Sequence, residues 1–369
     1  CVLTQRGHHV PLSNDSTGGR WWQTGDDPWQ VLACCMELTS AVRSGDPPSF
    51  ISHLPVHQDG SCNGLQHYAA LGRDWLGAKQ VNLVPGDRPQ DPYAGVAAMV
   101  EEQRAKDAAE GHEIAINLEG KISRKVVKQT VMTVVYGVTW VGGRLQIAKQ
   151  LRGSIPDDQL WDCSAYVVGE VFRALRQSFA KARGIQDWLS ASARKVSLAQ
   201  RPMEWVTPLG LPVVQPYHKM YQKSVSTQLQ GLNMRVAWNP SYPPDTRKQK
   251  NAMPPNFVHS LDSTHMMLTA LHAHRAGISF VAVHDSYWTH ACFVDTMNRI
   301  CREQFVTLHN EPILSDLAQF LEHKFGDLTY RDNSLEKRKR IQKCIFRDPF
   351  PTIGDLDLNQ VLDSTYFFS

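Results

Sequence analysis

The sequence has no uninterrupted run of the roughly 18 apolar residues that a membrane-crossing helix needs, which excludes an ordinary transmembrane segment. It also has no C-x-x-C pair. Its cysteines stand apart at positions 1, 34, 35, 62, 163, 292, 301 and 344, so zinc knuckles and thioredoxin-type redox sites are unsupported. Eight thiols in 369 residues are too dilute for a disulfide scaffold and indicate reduced cysteines in an intracellular compartment. Excess charge is missing too: 39 Lys and Arg against 36 Asp and Glu leave only +3. An argument for a polyanionic partner must therefore rest on where the charge sits. There is no internal repeat or low-complexity segment. The opening Cys1-Val2-Leu3-Thr4 is neither an initiator Met nor a signal or transit peptide, so the chain reads as the C-terminal part of something longer.

What is present is a composition able to bury a core: 42% hydrophobic and 20% charged residues, enough for two or three domains. Asp27-Pro28 predicts the start of a helix over about 31–42, with Trp21, Trp22 and Trp29 packing it and Cys34-Cys35 in the core. His53 to Gly60 reads as a strand ending at Asp59, followed by a tight turn and a helix over about 65–74. A Pro-containing loop and a polar helix over about 92–111 come next. Helices are expected through 160–200, a hairpin and long loop over 205–250, and a helix over about 255–276. Ile278 to Val283 reads as a buried strand that ends at His284-Asp285. Helices over 293–325, a basic Lys337 to Lys343 stretch, a short acidic helix and the aromatic tail Tyr366-Phe367-Phe368 complete the chain.

Two features carry chemistry. Asp59 and Asp285 each sit at a strand end, where adjacent strands bring two carboxylates to a pair of Mg²⁺ ions; the plainer reading is that each Asp caps a turn. Between them, residues 121–152 hold seven basic side chains and no acidic one. Within this block Arg124, Lys128, Met132 and Tyr136 recur every four residues. On a helix that spacing makes a slowly winding stripe about 18 Å long, the length of an extended nucleoside triphosphate. Cations at one end suit phosphates and a ring at the other suits base and sugar. A solvated basic face with Met132 and Tyr136 in the core is the alternative. Gly137 is a natural helix stop.

Taken together these segments resemble the single-subunit RNA polymerases of bacteriophages and mitochondria. His57-Gln58-Asp59-Gly60-Ser61-Cys62-Asn63-Gly64-Leu65-Gln66-His67-Tyr68 is similar to that family's motif A. Arg124-x-x-x-Lys128-x-x-x-Met132-Thr133-x-x-Tyr136-Gly137 is similar to motif B, and His284-Asp285-Ser286-Tyr287-Trp288-Thr289 to motif C. Pro255-Asn256-Phe257-Val258-His259-Ser260-Leu261-Asp262 resembles the segment before motif C. Order and intervals agree over essentially the whole chain. Arg124 to Met132 and the Tyr366-Phe367-Phe368-Ser369 end resemble the vertebrate mitochondrial members in particular.

The resemblance implies an α/β, helix-rich right-hand fold whose palm sheet carries both Asp. It divides the chain into palm (1–90), fingers (91–259), and palm with C-terminal tail (260–369). It implies two Mg²⁺ held by Asp59, Asp285 and the Gly60 carbonyl, with a triphosphate held by Arg124 and Lys128. Lys128 is also a candidate acid for the leaving pyrophosphate. Tyr136, Met132 and His259 would border the nascent base pair and its sugar. Related DNA polymerases place a bulky side chain just after the motif A carboxylate; Gly60-Ser61-Cys62 is small, which favours ribonucleotides. Implied partners are template DNA, nascent RNA, NTPs and mitochondrial initiation and elongation factors, with no membrane, in the mitochondrial matrix nucleoid. The thumb and promoter-binding parts are expected upstream of Cys1. The competing function is a catalytically incompetent nucleic-acid- or factor-binding remnant. The histidines at 53, 57, 67, 284 and 290 fit no zinc spacing, and an HD-type hydrolase would place such a pair on a helix. The basic run Lys337-Arg338-Lys339-Arg340 is either a template-phosphate contact or a solvated face, and the aromatic tail is expected to pack near the active site.

Overall fold

The computed structural model describes residues 21–25, 27–134, 136–220, 222–226, 230–235, 242–330, 342–347 and 349–368. It is a mixed α/β chain, rich in helix, with small antiparallel sheets. Helix α1 (Pro28–Arg43) starts with Pro28 in its first turn, although the Asp27 side chain makes no capping bond. It buries Leu32, Cys35 and Thr39, spaced along one face. Trp22 is buried beside it with Trp21 packed against the same cluster, whereas Trp29 is 75% exposed and Cys34 faces solvent, so the expected packing holds for two of the three tryptophans and one of the two cysteines.

Strand β1 (Pro55–Asp59) leads through Cys62, at φ +69°, into α2 (Asn63–Gly72), all ten residues of which are buried. A helix buried on every side belongs in the centre of a fold, and α2 is that centre. Then follow α3 (Trp75–Gln80), α4 (Pro92–Ala109), α5 (Glu113–Asn117), α6 (Arg124–Val134), α7 (Trp140–Leu151), α8 (Leu160–Ser178) and α9 (Ala180–Leu198). In α8 the apolar spacing Leu160, Cys163, Val167, Val171, Ala174 faces inward; in α9 it is Ala182, Ile185, Leu189, Val196. Hairpins β2 (Glu204–Val206)–β3 (Pro212–Val214) and β4 (Gln222–Ser226)–β5 (Gly231–Arg235) occupy much of the expected loop.

The next helix, α10, runs Thr246–Arg275, about nine residues earlier than Pro255 suggests. Arg247, Lys248 and Lys250 are thus helical, and Pro254 and Pro255 lie inside the helix. A proline pair there removes two backbone donors and usually marks a helix start. Here the Asp245 side chain caps the earlier turn through the Arg247 and Lys248 N–H groups, and Tyr68 Oη donates to the Pro254 carbonyl at 3.2 Å. Strands β6 (Val281–Val283) and β7 (Ser286–His290) precede α11 (Val294–Asn310) and α12 (Ile313–Phe325). Among the described residues no helix is long and apolar enough to cross a membrane.

The sheet that matters most has the order β1-β7-β6, antiparallel throughout. Because β6 is its edge and side chains alternate faces, Val281 and Val283 are 53% and 45% exposed, against the expectation of a buried strand. Tyr287, on the opposite face, is fully buried in the contiguous core.

Candidate active site

In the register of β1 against β7, Asp59 stands opposite Ser286. Residues opposed in this way have Cα atoms about 4.5–5.5 Å apart, and Asp285 immediately precedes Ser286 as the second residue of the two-residue β6–β7 turn. His284, the first, takes φ +56° to make that turn. Two carboxylates separated by 226 positions thus share one end of the sheet. Burial and then the Asp285 charge push the Asp59 carboxyl above its ordinary range, while the Gly60 N–H, donating to Oδ1 at 3.0 Å, opposes the rise.

The turn after Asp59 is held from several sides. Cys62 N donates to the Gly60 carbonyl at 2.8 Å, and Gly60 pairs with Phe368 of the C-terminal tail. Ser61 Oγ accepts from Asn82 Nδ2 at 2.7 Å. Buried Gln66 donates to the Val81 and Phe367 carbonyls at 2.9 and 3.0 Å. Phe367 and Phe368 are buried, and the tail packs against the turn that follows Asp59.

Helix α6 presents Arg124, Lys128 and 40%-exposed Met132. Tyr136 lies just beyond its end: Val134 is the last helical residue, and Gly137 at φ +77° closes the turn through a bond to the Val134 carbonyl. The four-residue stripe is therefore helical over three of its members. Tyr136 instead lies flat on His259 of α10. Its pKa is raised by burial and then by the nearby Cys62, Asp285, Asp262 and Asp59, so the hydroxyl keeps its proton.

One side chain ties the two halves together. Tyr93, near the start of α4, lies beside Cys62, whose thiol burial pushes up to about 11. The same ring lies under Arg124, 5.4 Å from centroid to guanidinium carbon, and under Lys128, 5.9 Å to Nζ. Tyr93 has no motif around it, and its position so near the Pro92 helix start was its one sequence signal.

Asp262 entered the sequence reading only as the end of the segment before motif C, with no role assigned. It accepts from Asn63 Nδ2 and lies 3.8 Å from His67 Nε2. Burial opposes its charge, but His67 and Asn63 outweigh that and hold the carboxyl below its ordinary range. Its charge is felt at Asp59 and Tyr136. Its spacing of three from His259 along a helix was the available signal.

Among the described residues no group of three or more His, Cys, Asp or Glu is arranged to hold a metal. The available donor set is two carboxylates and the Gly60 carbonyl, one lone pair of which already accepts from Cys62. Hard oxygen donors completed by water and substrate phosphate suit Mg²⁺, and the mutual repulsion recorded at Asp59 is what a divalent cation between the carboxylates relieves. His284-Asp285 lies in a hairpin turn rather than on a helix. The run Lys337 to Arg340 lies outside the described residues.

Two carboxylates thus stand at one end of a sheet, the Tyr136 ring of the stacked pair lies within reach of their charge, and Tyr93 joins Cys62 to a basic helix. The chain belongs to the DNA-dependent RNA polymerase family, whose model matches residues 9–369. It is similar to the mitochondrial DNA-directed RNA polymerase of Mus musculus, 55% identical over 364 residues, covering 96% of this chain and 30% of the mouse protein. The Homo sapiens mitochondrial enzyme is 54% identical over 356 residues, covering 96% of this chain and 28% of that protein. DNA-directed RNA polymerase 1B, mitochondrial, of Nicotiana tabacum is 46% identical over 361 residues, covering 95% and 34%. The chain spans about a third or less of the length of these relatives.

Proposed function

We propose that this chain carries the catalytic centre of a DNA-directed RNA polymerase that copies a DNA template by adding NTPs to an RNA 3′ end. In this reading residues 1–90 and 260–369 form a palm with the β1-β7-β6 sheet at its heart, and 91–259 form the fingers. The names of the relatives support a mitochondrial setting, hence the matrix nucleoid, with initiation and elongation factors as partners alongside DNA and nascent RNA. The observation that carries the proposal is the convergence of Asp59 and Asp285, with Tyr93 linking their turn to Arg124 and Lys128.

The division of labour follows from side-chain chemistry. Asp59 and Asp285, with the Gly60 carbonyl, would hold two Mg²⁺ ions, which would supply charge neutralisation for the attacking oxygen and the departing phosphates. Arg124 and Lys128 grip the triphosphate, and Lys128 gives a proton to the leaving pyrophosphate. Tyr136 and His259 border the incoming sugar, with Met132 next along the helix towards the base. Gly60-Ser61-Cys62 leaves room for a 2′-hydroxyl, to which the protonated Tyr136 donates a hydrogen bond.

The test is primer extension on an RNA–DNA scaffold with Mg²⁺ and NTPs, using the protein at its natural length. Extension is expected, with Asp59→Asn and Asp285→Asn each slowing it by about 10³-fold or more. Scaffold binding without extension favours the remnant reading. Extension with dNTPs alone overturns the choice of product.

A further inference from the structure

Arg124 is held by a partner that no motif names. Asp91 precedes α4, and its Oδ1 accepts from the Tyr93 and Ala94 N–H groups at 2.9 and 3.3 Å, capping the helix. Its other oxygen, Oδ2, accepts from Arg124 Nε. Both carboxylate oxygens are thus committed, and Pro92 at the first helical position fixes the backbone between cap and ring. The carboxylate is in turn held in its charged form: burial opposes the charge, but Arg124 and the Ala94 and Tyr93 N–H groups outweigh it.

The mode of contact decides what the pair does. A guanidinium usually meets a carboxylate through its fork, two parallel bonds at once. Here Asp91 takes only Nε, and no hydrogen bond from Nη1 or Nη2 is recorded among the described residues. The guanidinium also lies over the Tyr93 ring, so one edge is pinned, one face is covered and the fork is left open. Arg124 and Asp91 side chains are 50% and 35% exposed, and an ion pair so open to water contributes little to stability. Its effect is to order a long, otherwise mobile side chain before a ligand arrives, which lowers the entropy lost on binding.

We propose that Asp91 is a positioning residue for the incoming nucleotide, fixing Arg124 by Nε so that its terminal nitrogens are presented to the triphosphate. This rests on the reading of Arg124 as a phosphate ligand given above. The alternative, that Asp91 competes with the phosphates for Arg124, predicts the opposite sign.

Steady-state primer extension by the protein at its natural length separates these. Asp91→Ser keeps a hydroxyl able to cap α4 but too short to reach Arg124, and Asp91→Asn keeps the shape without the charge. With Asp91→Ser, KM for NTP is expected to rise about tenfold with kcat within about twofold, the signature of a binding group retained but misaligned; Asp91→Asn should fall between it and the wild type. Arg124→Ala should raise KM by itself, and adding Asp91→Ser to it should change nothing further, since the two act as a unit. A wild-type KM in Asp91→Ser with an unchanged Tm reduces Asp91 to a helix cap and overturns the proposal. A lower KM overturns it in favour of competition. An Arg124→Ala variant with normal KM removes the phosphate assignment itself, and the proposal with it.

Discussion

Tyr136 stacks on His259 with ring centroids 4.7 Å apart and planes 10° from parallel. The two rings come from opposite sides of the site, one from the turn that ends α6 and the other from α10 four residues after Pro255. Gly137 allows the approach. A Cβ built on it would lie 3.2 Å from the Asn251 carbonyl, which Pro255, lacking an N–H, leaves without its helical donor. The aromatic pair therefore depends on a glycine at positive φ meeting a proline-interrupted helix.

If this pair reads the sugar, Tyr136→Phe should lower the preference for NTP over dNTP by about 10- to 100-fold, the effect of one hydrogen bond made in a desolvated site. His259→Ala should lower it as well, by freeing the tyrosine ring. The measurement is the ratio of kcat/KM values on one scaffold. A preference unchanged in both variants assigns discrimination elsewhere.

Behind the carboxylates lie three buried histidines, His67, His265 and His309. His67 Nδ1 and His309 Nε2 are 3.1 Å apart, and His265 Nε2 lies 2.9 Å from the Cys301 carbonyl. Burial, followed by the neighbouring His67, lowers the His265 pKa to about 4. Burial also holds His309 well below its usual value. The unfolded chain, with an ordinary histidine pKa near 6.5, binds protons where the native state does not. Stability from His265 and His309 is thus present above pH ~6.5 and lost as pH falls towards about 4, with His265 alone contributing about 3 kcal/mol over that window. Urea unfolding at neutral pH and near pH 5 should show the loss, and His265→Gln should reduce the difference between the two conditions. Equal stability at both pH values in the unmodified protein would argue that His265 and His309 are not buried neutral.

Gly60 is constrained by packing as well as by any substrate. A Cβ there would sit 2.7 Å from Gln66 Oε1 and 3.3 Å from Phe368 Cε2. Gln66 cannot swing aside without breaking its bonds to Val81 and Phe367. Gly60→Ala should therefore cost about 1–3 kcal/mol by overpacking. Phe368→Ala, which empties a buried ring site beside Tyr287, should cost about 3–5 kcal/mol. In the double variant the two costs should fall short of additive, because deleting the ring relieves part of the clash. Denaturant midpoints of the four proteins measure this; strict additivity would show that the tail does not press on Gly60.

Much of the site was legible because its signals are local. Asp59 before a Gly-containing turn, the cations Arg124 and Lys128 four apart, and Gly137 as a helix stop each express a short-range preference of the backbone. Misreadings arose where a distant contact overrode such a preference. Pro255 argued for a helix start, but the Asp245 cap begins α10 a full two turns earlier. The apolar run ending at Val283 suggested burial, but an edge position leaves one face of β6 open. Trp29 looked like core, yet only Trp22 of the pair is covered.

The primary structure by itself determined which residue types were on offer: carboxylates after strand-forming runs, an acid-free basic helix, an aromatic tail, and turns where glycine or proline demand them. These follow from φ/ψ preferences and hydrophobic spacing, which act over a few residues. Only the tertiary structure decided that Asp59 faces Ser286, that Tyr93 spans from Cys62 to Arg124, that Asp262 reaches Asn63 and that Asp91 holds Arg124 by one nitrogen. Those pairings join segments tens to hundreds of positions apart, and they exist only once the buried α2 helix and the core around it have brought the chain together.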